Sequence, residues 1–220
     1  MNPPTLYYCP GHMSFAPHVV LYEIGKPFEA VHVAIKEGAT QSAEFRRLNP
    51  KGKIPVLLAD GHVITESAAI MYYLALRHPD SGLLPDDPLG VARAVEWTNW
   101  LSAVLASSVS QTLHPGRFSP DVATHPAVKD KGIANLLDAF THIDGRLAEQ
   151  EWALASGYSV VDPMLLIFFR WGHVLGLDMD RFPAWSAHVH RAGQRPAVQA
   201  TLRAEGITIP LIVFSKGCNA

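Results

Sequence analysis

Two periodicities divide this chain, and the division falls near residue 80. Up to that point short β-rich runs alternate with helical stripes, whereas beyond it the apolar residues recur on the helical period alone. A half-buried strand repeats its apolar positions every second residue and a helix about every 3.6, so the two halves fold as different layers. Thr5–Tyr8 (TLYY) and Phe28–Ile35 (FEAVHVAI) read as strands, with Gly25, Lys26 and Pro27 as punctuation before the second. Between them Phe15, Val19, Val20, Tyr22 and Ile24 form a helical stripe. Val56–Leu58 and His62–Ile64 flank the tight-turn segment ADG, and a helix follows from about Glu66 to Arg77. The order βαβ-ββα describes a small α/β domain over residues 1–79.

His78–Gly90 is rich in Pro, Gly and Asp, which makes residues 80–90 a linker. Residues 91–220 then read as an all-α bundle. Val91, Val95, Leu101 and Leu105 fit one helix, Ile133 to Leu147 another, and Met164 to Trp171 is apolar on nearly every side, as a buried helix is. The tetrapeptide SVVD (Ser159–Asp162) ahead of it has the form of a capping box, with Ser159 accepting from the Asp162 N–H while the carboxylate reaches back. Asp162 is therefore structural. The five tryptophans read as core or interface aromatics.

Composition removes several function classes. A formal charge of −2 offers nothing to a phosphate backbone, so nucleic acid is not an expected partner. The longest uninterrupted apolar run, Met164–Phe169, is far short of the ~18 residues of a spanning helix, so no membrane is expected either. The start MNPPTLYYC lacks the charged and apolar regions of a signal peptide, and the expected location is the cytoplasm. Cys9 and Cys218 are too few for a disulfide framework. The eleven histidines show no metal-site spacing and read as solvated surface residues, so no metal is expected.

The order of particular segments adds a resemblance. NPKGKIP before the third strand, TESAAIMYYL after the fourth and SVVDPMLLIFFRW in the helical half together resemble the cytosolic glutathione S-transferase superfamily, from Leu6 to about Gly206. The opening YYCPGHMSFAPHVVL and the closing RPAVQATLRAEG are most similar to bacterial beta-class-like members. The resemblance implies a thioredoxin-like domain followed by a helical domain, glutathione as co-substrate, and conjugation of its thiolate to small hydrophobic electrophiles in detoxification. It also implies a homodimer with two clefts along a shared groove.

Site residues follow residue by residue. Ile54–Pro55 stands where the family has a cis X-Pro bond, and X-Pro is the one bond that goes cis cheaply. The Ile54 backbone would then face outward to pair with the cysteinyl part of glutathione as a short strand addition. In TES, Ser67 falls on the position that holds the γ-glutamyl carboxylate at a helix N-terminus, with Glu66 near the amino group. Lys36 and Lys53 are candidates for the glycyl carboxylate, and Met13, which replaces the beta-class cysteine, lies beside the tripeptide. Three groups could stabilise the thiolate: Ser14 first, Tyr8 second, and Cys9, which reads mainly as a small core residue. Leu105, Val109, Leu113 and Phe118 are the candidates for the electrophile pocket. Two alternatives stay open, a glutathione-dependent reductase or isomerase using Cys9 and a non-catalytic glutathione-fold binding protein.

Overall fold

The structure, a computed structural model, describes residues 3–212. Cys218 and the end of the chain therefore lie outside the described residues. The N-terminal half is built on four strands, β1 (Thr5–Tyr8), β2 (Glu29–His32), β3 (Val56–Ala59) and β4 (His62–Thr65). They lie in the order β2-β1-β3-β4. β1 pairs parallel to β2 with Leu6 opposite Ala30, and antiparallel to β3 with Leu6 opposite Leu57. Helix α1 (Phe15–Ile24) crosses between β1 and β2, the short helix α2 (Ala43–Leu48) precedes β3, and α3 (Ser67–Arg77) follows β4. The arrangement is the expected βαβ-ββα layer of a thioredoxin-like domain.

Helix α1 is the element through which the two halves meet. Every residue from Phe15 to Leu21 is buried, because one side of the helix packs on α3 and the sheet while the other packs on helices of the C-terminal half. That half holds α4 (Pro88–Trp100), α5 (Ala106–Leu113), α6 (His125–Glu149), α7 (Asp162–Val174), α8 (Pro183–Gly193) and α9 (Pro196–Glu205). A single buried apolar cluster runs from Leu6 in β1 through α1, α3 and α7 to Leu202 in α9. Val33, Phe45 and Val56 form a second, small cluster under α2.

Several local expectations change. β2 ends at His32 rather than Ile35, because Val33 turns inward, donating from its N–H to the Tyr8 carbonyl (2.8 Å), and Ile35–Glu37 form a 3₁₀ turn. Helix α2 was not expected, although Ser42 caps it by accepting from the Phe45 N–H (3.1 Å). Helix α4 starts at Pro88, capped by Asp87, which accepts from the Gly90 N–H (2.8 Å). Its inward face is Ala94, Trp97 and Thr98, while Val95 is exposed. Leu101–Leu105 form a π-helical turn between α4 and α5. The histidines divide, with His18 and His188 fully buried rather than solvated.

The capping box forms in part. The Asp162 carboxylate accepts from the Ser159 N–H (2.7 Å) as expected, but the Ser159 hydroxyl accepts from the Val161 N–H (3.2 Å) rather than from Asp162. The same carboxylate also takes the Ala153 N–H (2.9 Å) and His188 Nε2 (2.8 Å), all in full burial. Asp162 thus joins the loop before α7, the start of α7 and α8. Asp162→Ala strands four buried polar groups at once, the Ser159 hydroxyl among them, and we expect a loss of about 3–5 kcal/mol, the usual cost of removing one member of a buried pair. Urea unfolding should show it as a lower midpoint with unchanged slope. An unchanged midpoint would show that the cluster contributes nothing to stability.

Candidate active site

Three segments meet at one end of the sheet: the loop from Cys9 to Ser14, the turn before β3, and the junction of β4 with α3. The loop is folded on itself by Ser14. Its hydroxyl donates to the Cys9 carbonyl (3.0 Å) and accepts from the Cys9 N–H (3.1 Å), and the residue is fully buried. A hydroxyl has one proton, and here it is used inside the loop. In this structure the Ser14 hydroxyl faces the Cys9 backbone rather than outward, and it fixes the loop's shape.

The helical half completes the loop. Glu205, buried at the end of α9, accepts from the Gly11 N–H (2.9 Å) and pairs with His18 Nδ1 (3.0 Å) in α1. Trp171 in α7 donates from its indole N–H to the Gly11 carbonyl (2.9 Å). Gly11 has φ +70°, a backbone conformation that favours glycine, and it lies against the Arg170 guanidinium, which a Cβ would meet at 3.0 Å. Glu205, His18, Trp171 and Arg170 were not found from the sequence. The contacts of Glu205 span 194 and 187 residues, a separation that no local pattern reports.

Tyr8 ends β1, and Cys9 follows it at the mouth of this loop. The Tyr8 ring lies 5.0 Å from His18 and 5.9 Å from His32, and its hydroxyl has no hydrogen-bond partner among the described residues. Burial, followed by the charge of Glu205, pushes its pKa up, so the phenol keeps its proton. Burial also pushes the Cys9 thiol up, and the Ile35 backbone and Lys36 oppose this only in part. Cys9 is half-buried, and a raised pKa leaves little thiolate at neutral pH.

At the second segment the Ile54–Pro55 peptide bond is cis, as expected. The backbone N–H and C=O of Ile54 have no partner among the described residues, while Pro55 is buried. At the third, Ser67 opens α3 and its hydroxyl donates to the Met13 carbonyl (3.1 Å). This bond brings the start of α3 against the start of α1. Because that proton is committed, the backbone N–H of Ser67 is the donor left for a ligand carboxylate. Glu66 sits just ahead with φ +72°, an unusual backbone for a residue with a side chain, and its carboxylate pairs with Lys51. Lys51 is thus the lysine of the NPKGK loop that reaches this junction. Lys36 and Lys53 are exposed at the edge of the same region.

The four electrophile-pocket candidates separate. Leu105 (0% exposed) and Val109 (5%) belong to the core and line no open surface, which corrects the expectation for both. Leu113 (48%) and Phe118 (45%) stay exposed. Among the described residues no group of three or more His, Cys, Asp or Glu is placed to hold a metal ion, and no helix is long and apolar enough to cross a membrane.

Comparison with known proteins agrees with this geometry. Residues 2–76 match the family described as glutathione S-transferase, N-terminal domain. Glutathione S-transferase GstA of Escherichia coli O157:H7 is 32% identical over 205 residues, covering 92% of this chain and 98% of that protein. A sphingomonad glutathione S-transferase, solved in complex with glutathione, has a TM-score of 0.82 at 31% identity, covering 93% of this chain and 100% of its own. A glutathione transferase homolog from sulfitobacter with bound glutathione reaches a TM-score of 0.88 over 94% of this chain and 100% of its own. Its 22% identity makes that a likeness of fold. With a third of its residues shared along nearly its whole length, the chain belongs to the glutathione S-transferase family.

Proposed function

We propose that this transferase binds glutathione in the cleft between the loop, the turn before β3 and the start of α3, and adds its thiolate to small hydrophobic electrophiles. The observation that carries the reading is the Ser67–Met13 bond, which sets two helix N-termini side by side next to the unpaired Ile54 backbone. Helix N-termini favour negative charge, and glutathione brings two carboxylates and a thiolate. In this reading Ile54 pairs with the cysteinyl backbone, the Ser67 N–H takes the γ-glutamyl carboxylate and Glu66 takes the amino group. Lys36 and Lys53 face the glycyl carboxylate. Leu113 and Phe118 supply apolar surface for the electrophile.

The chemistry required of the protein is small. A free thiol with pKa ~8.5 is mostly protonated at pH 7, and lowering it by about two units takes roughly 2.7 kcal/mol of preferential anion stabilisation. With the Ser14 hydroxyl committed, Tyr8 takes first place as the donor, assisted by the N–H groups of Met13 and Ser14, which have no partner among the described residues. Cys9, kept protonated by its surroundings, is poorly suited to a mixed disulfide, so a reductase resting on it is the weaker reading. Exposed apolar side chains on β4 (Val63), α3 (Leu76) and α4 (Leu89, Val95) support a homodimer.

Four outcomes are expected. The protein should be retained on immobilised glutathione and eluted by free glutathione; passage without retention would remove the whole reading. Tyr8→Phe deletes one charge-assisted hydrogen bond of about 1.5–3 kcal/mol, which should raise the pKa of bound glutathione by about one to two units. A pH titration of kcat/KM with a general electrophile reads this directly. Cys9→Ala should leave that profile in place; loss of turnover in Cys9→Ala alone would favour the reductase instead. Light scattering should give a mass near twice 24.0 kDa, and a value near 24.0 kDa would refute the dimer.

A further inference from the structure

We propose that Lys51 is a specificity-determining residue: by neutralising Glu66 it sets how strongly the start of α3 demands an amino group on its ligand. The inference rests on the reading of this cleft as a glutathione site and adds a residue to it. Lys51 lies in the NPKGK loop, which the structure holds rigidly. Buried Asn49 accepts from the Lys51 N–H through its side-chain oxygen (3.2 Å) and donates from its amide nitrogen to the Lys53 carbonyl (2.6 Å). Arg46 donates to the Pro50 carbonyl (3.3 Å), and Gln41 donates to the Gly52 carbonyl (3.4 Å). Gly52 has φ +62°, and a Cβ there would meet Gln41 Nε2 at 3.0 Å. From this loop the Lys51 ammonium reaches across to the β4–α3 junction, donating to Thr65 Oγ1 (2.7 Å) and to the Glu66 carboxylate.

The charges at the junction explain why a cation is placed there. The first turn of α3 is suited to a ligand carboxylate, yet Glu66 puts a second carboxylate at the same helix end, and it makes no capping bond to the helix N–H groups. Two carboxylates together repel unless a cation lies between them. Two cations can serve: Lys51, which the protein supplies, and the α-ammonium, which glutathione carries on the same carbon as its carboxylate. With Lys51 present, a ligand lacking the amino group still meets a neutral junction. With Lys51 removed, only the ligand's own ammonium balances Glu66, and selection for the amino group sharpens.

The test compares glutathione with glutaryl-Cys-Gly, the same peptide without its amino group, by calorimetry at low salt on the wild type and on Lys51→Met and Lys51→Arg. The measured quantity is the ratio of the two dissociation constants, which loop stability alone would not move. In Lys51→Met the penalty for the missing amino group should grow about fivefold, the size of a partly exposed ion pair. Lys51→Arg should return it close to the wild-type value. In a Glu66→Gln background, Lys51→Met should no longer change the ratio. An unchanged ratio in Lys51→Met, with wild-type binding of glutathione intact, overturns this proposal alone. Failure of the wild type to bind either peptide overturns the glutathione reading and this proposal with it.

Discussion

The cleft depends on one buried carboxylate. Glu205 stands at the last turn of α9, and its two oxygens go to the Gly11 N–H and to His18 Nδ1. The first belongs to the loop that follows β1, the second to the helix that follows the loop, so one side chain fixes both ends of the turn. A buried carboxylate without partners is costly, and with charge-assisted hydrogen bonds it holds position well. Trp171 adds a bond to the Gly11 carbonyl, and Ser14 closes the loop from within. The loop's shape is thus determined by residues from the far end of the chain.

The same logic joins the two halves elsewhere. Glu23 at the end of α1 forms a two-pronged pair with Arg195 ahead of α9 (2.6 and 2.9 Å), and the Arg195 guanidinium lies 3.7 Å from the Tyr158 ring centroid. Helix α1 is therefore tied to α9 near both of its ends, by Glu205 at His18 and by Arg195 at Glu23. Apolar burial along Phe15–Leu21 supplies most of the adhesion, and the polar ties set the register. The helical half, far from being a cover laid over a finished α/β layer, is part of what shapes the cleft.

The sequence made the layer order and the start of α3 legible because each leaves a local mark, alternation and a polar residue before an apolar stripe; the cis proline was legible only through the family resemblance of the segment around it. Ser14 was placed correctly at the head of α1, yet its hydroxyl faces the Cys9 backbone, an orientation that spacing does not encode. Leu105 and Val109 were assigned to a pocket by their place in the second half, but apolar residues on an inward stripe belong to the core unless a cleft interrupts it. Glu205, His18 and Trp171 were illegible for a plainer reason, since their partners lie more than 150 residues away. Lys51 did carry a signal. The tight Asn-Pro-Lys-Gly turn fixes where that lysine starts, but its reach to Glu66 depends on how β4 returns beside it.

The π turn at Leu101–Leu105 has a consequence for how this family member can vary. A π turn accommodates an extra residue inside an otherwise regular helix. Removing one residue there would restore the ordinary winding with the flanking helices in register, whereas the same removal inside α5 would rotate everything beyond it by about 100°, the angle between successive residues. Leu113 and its neighbours would keep their side in the first case and present a different one in the second. The turn acts as a register joint. It can take up the gain or loss of one residue while α5 keeps the face it presents.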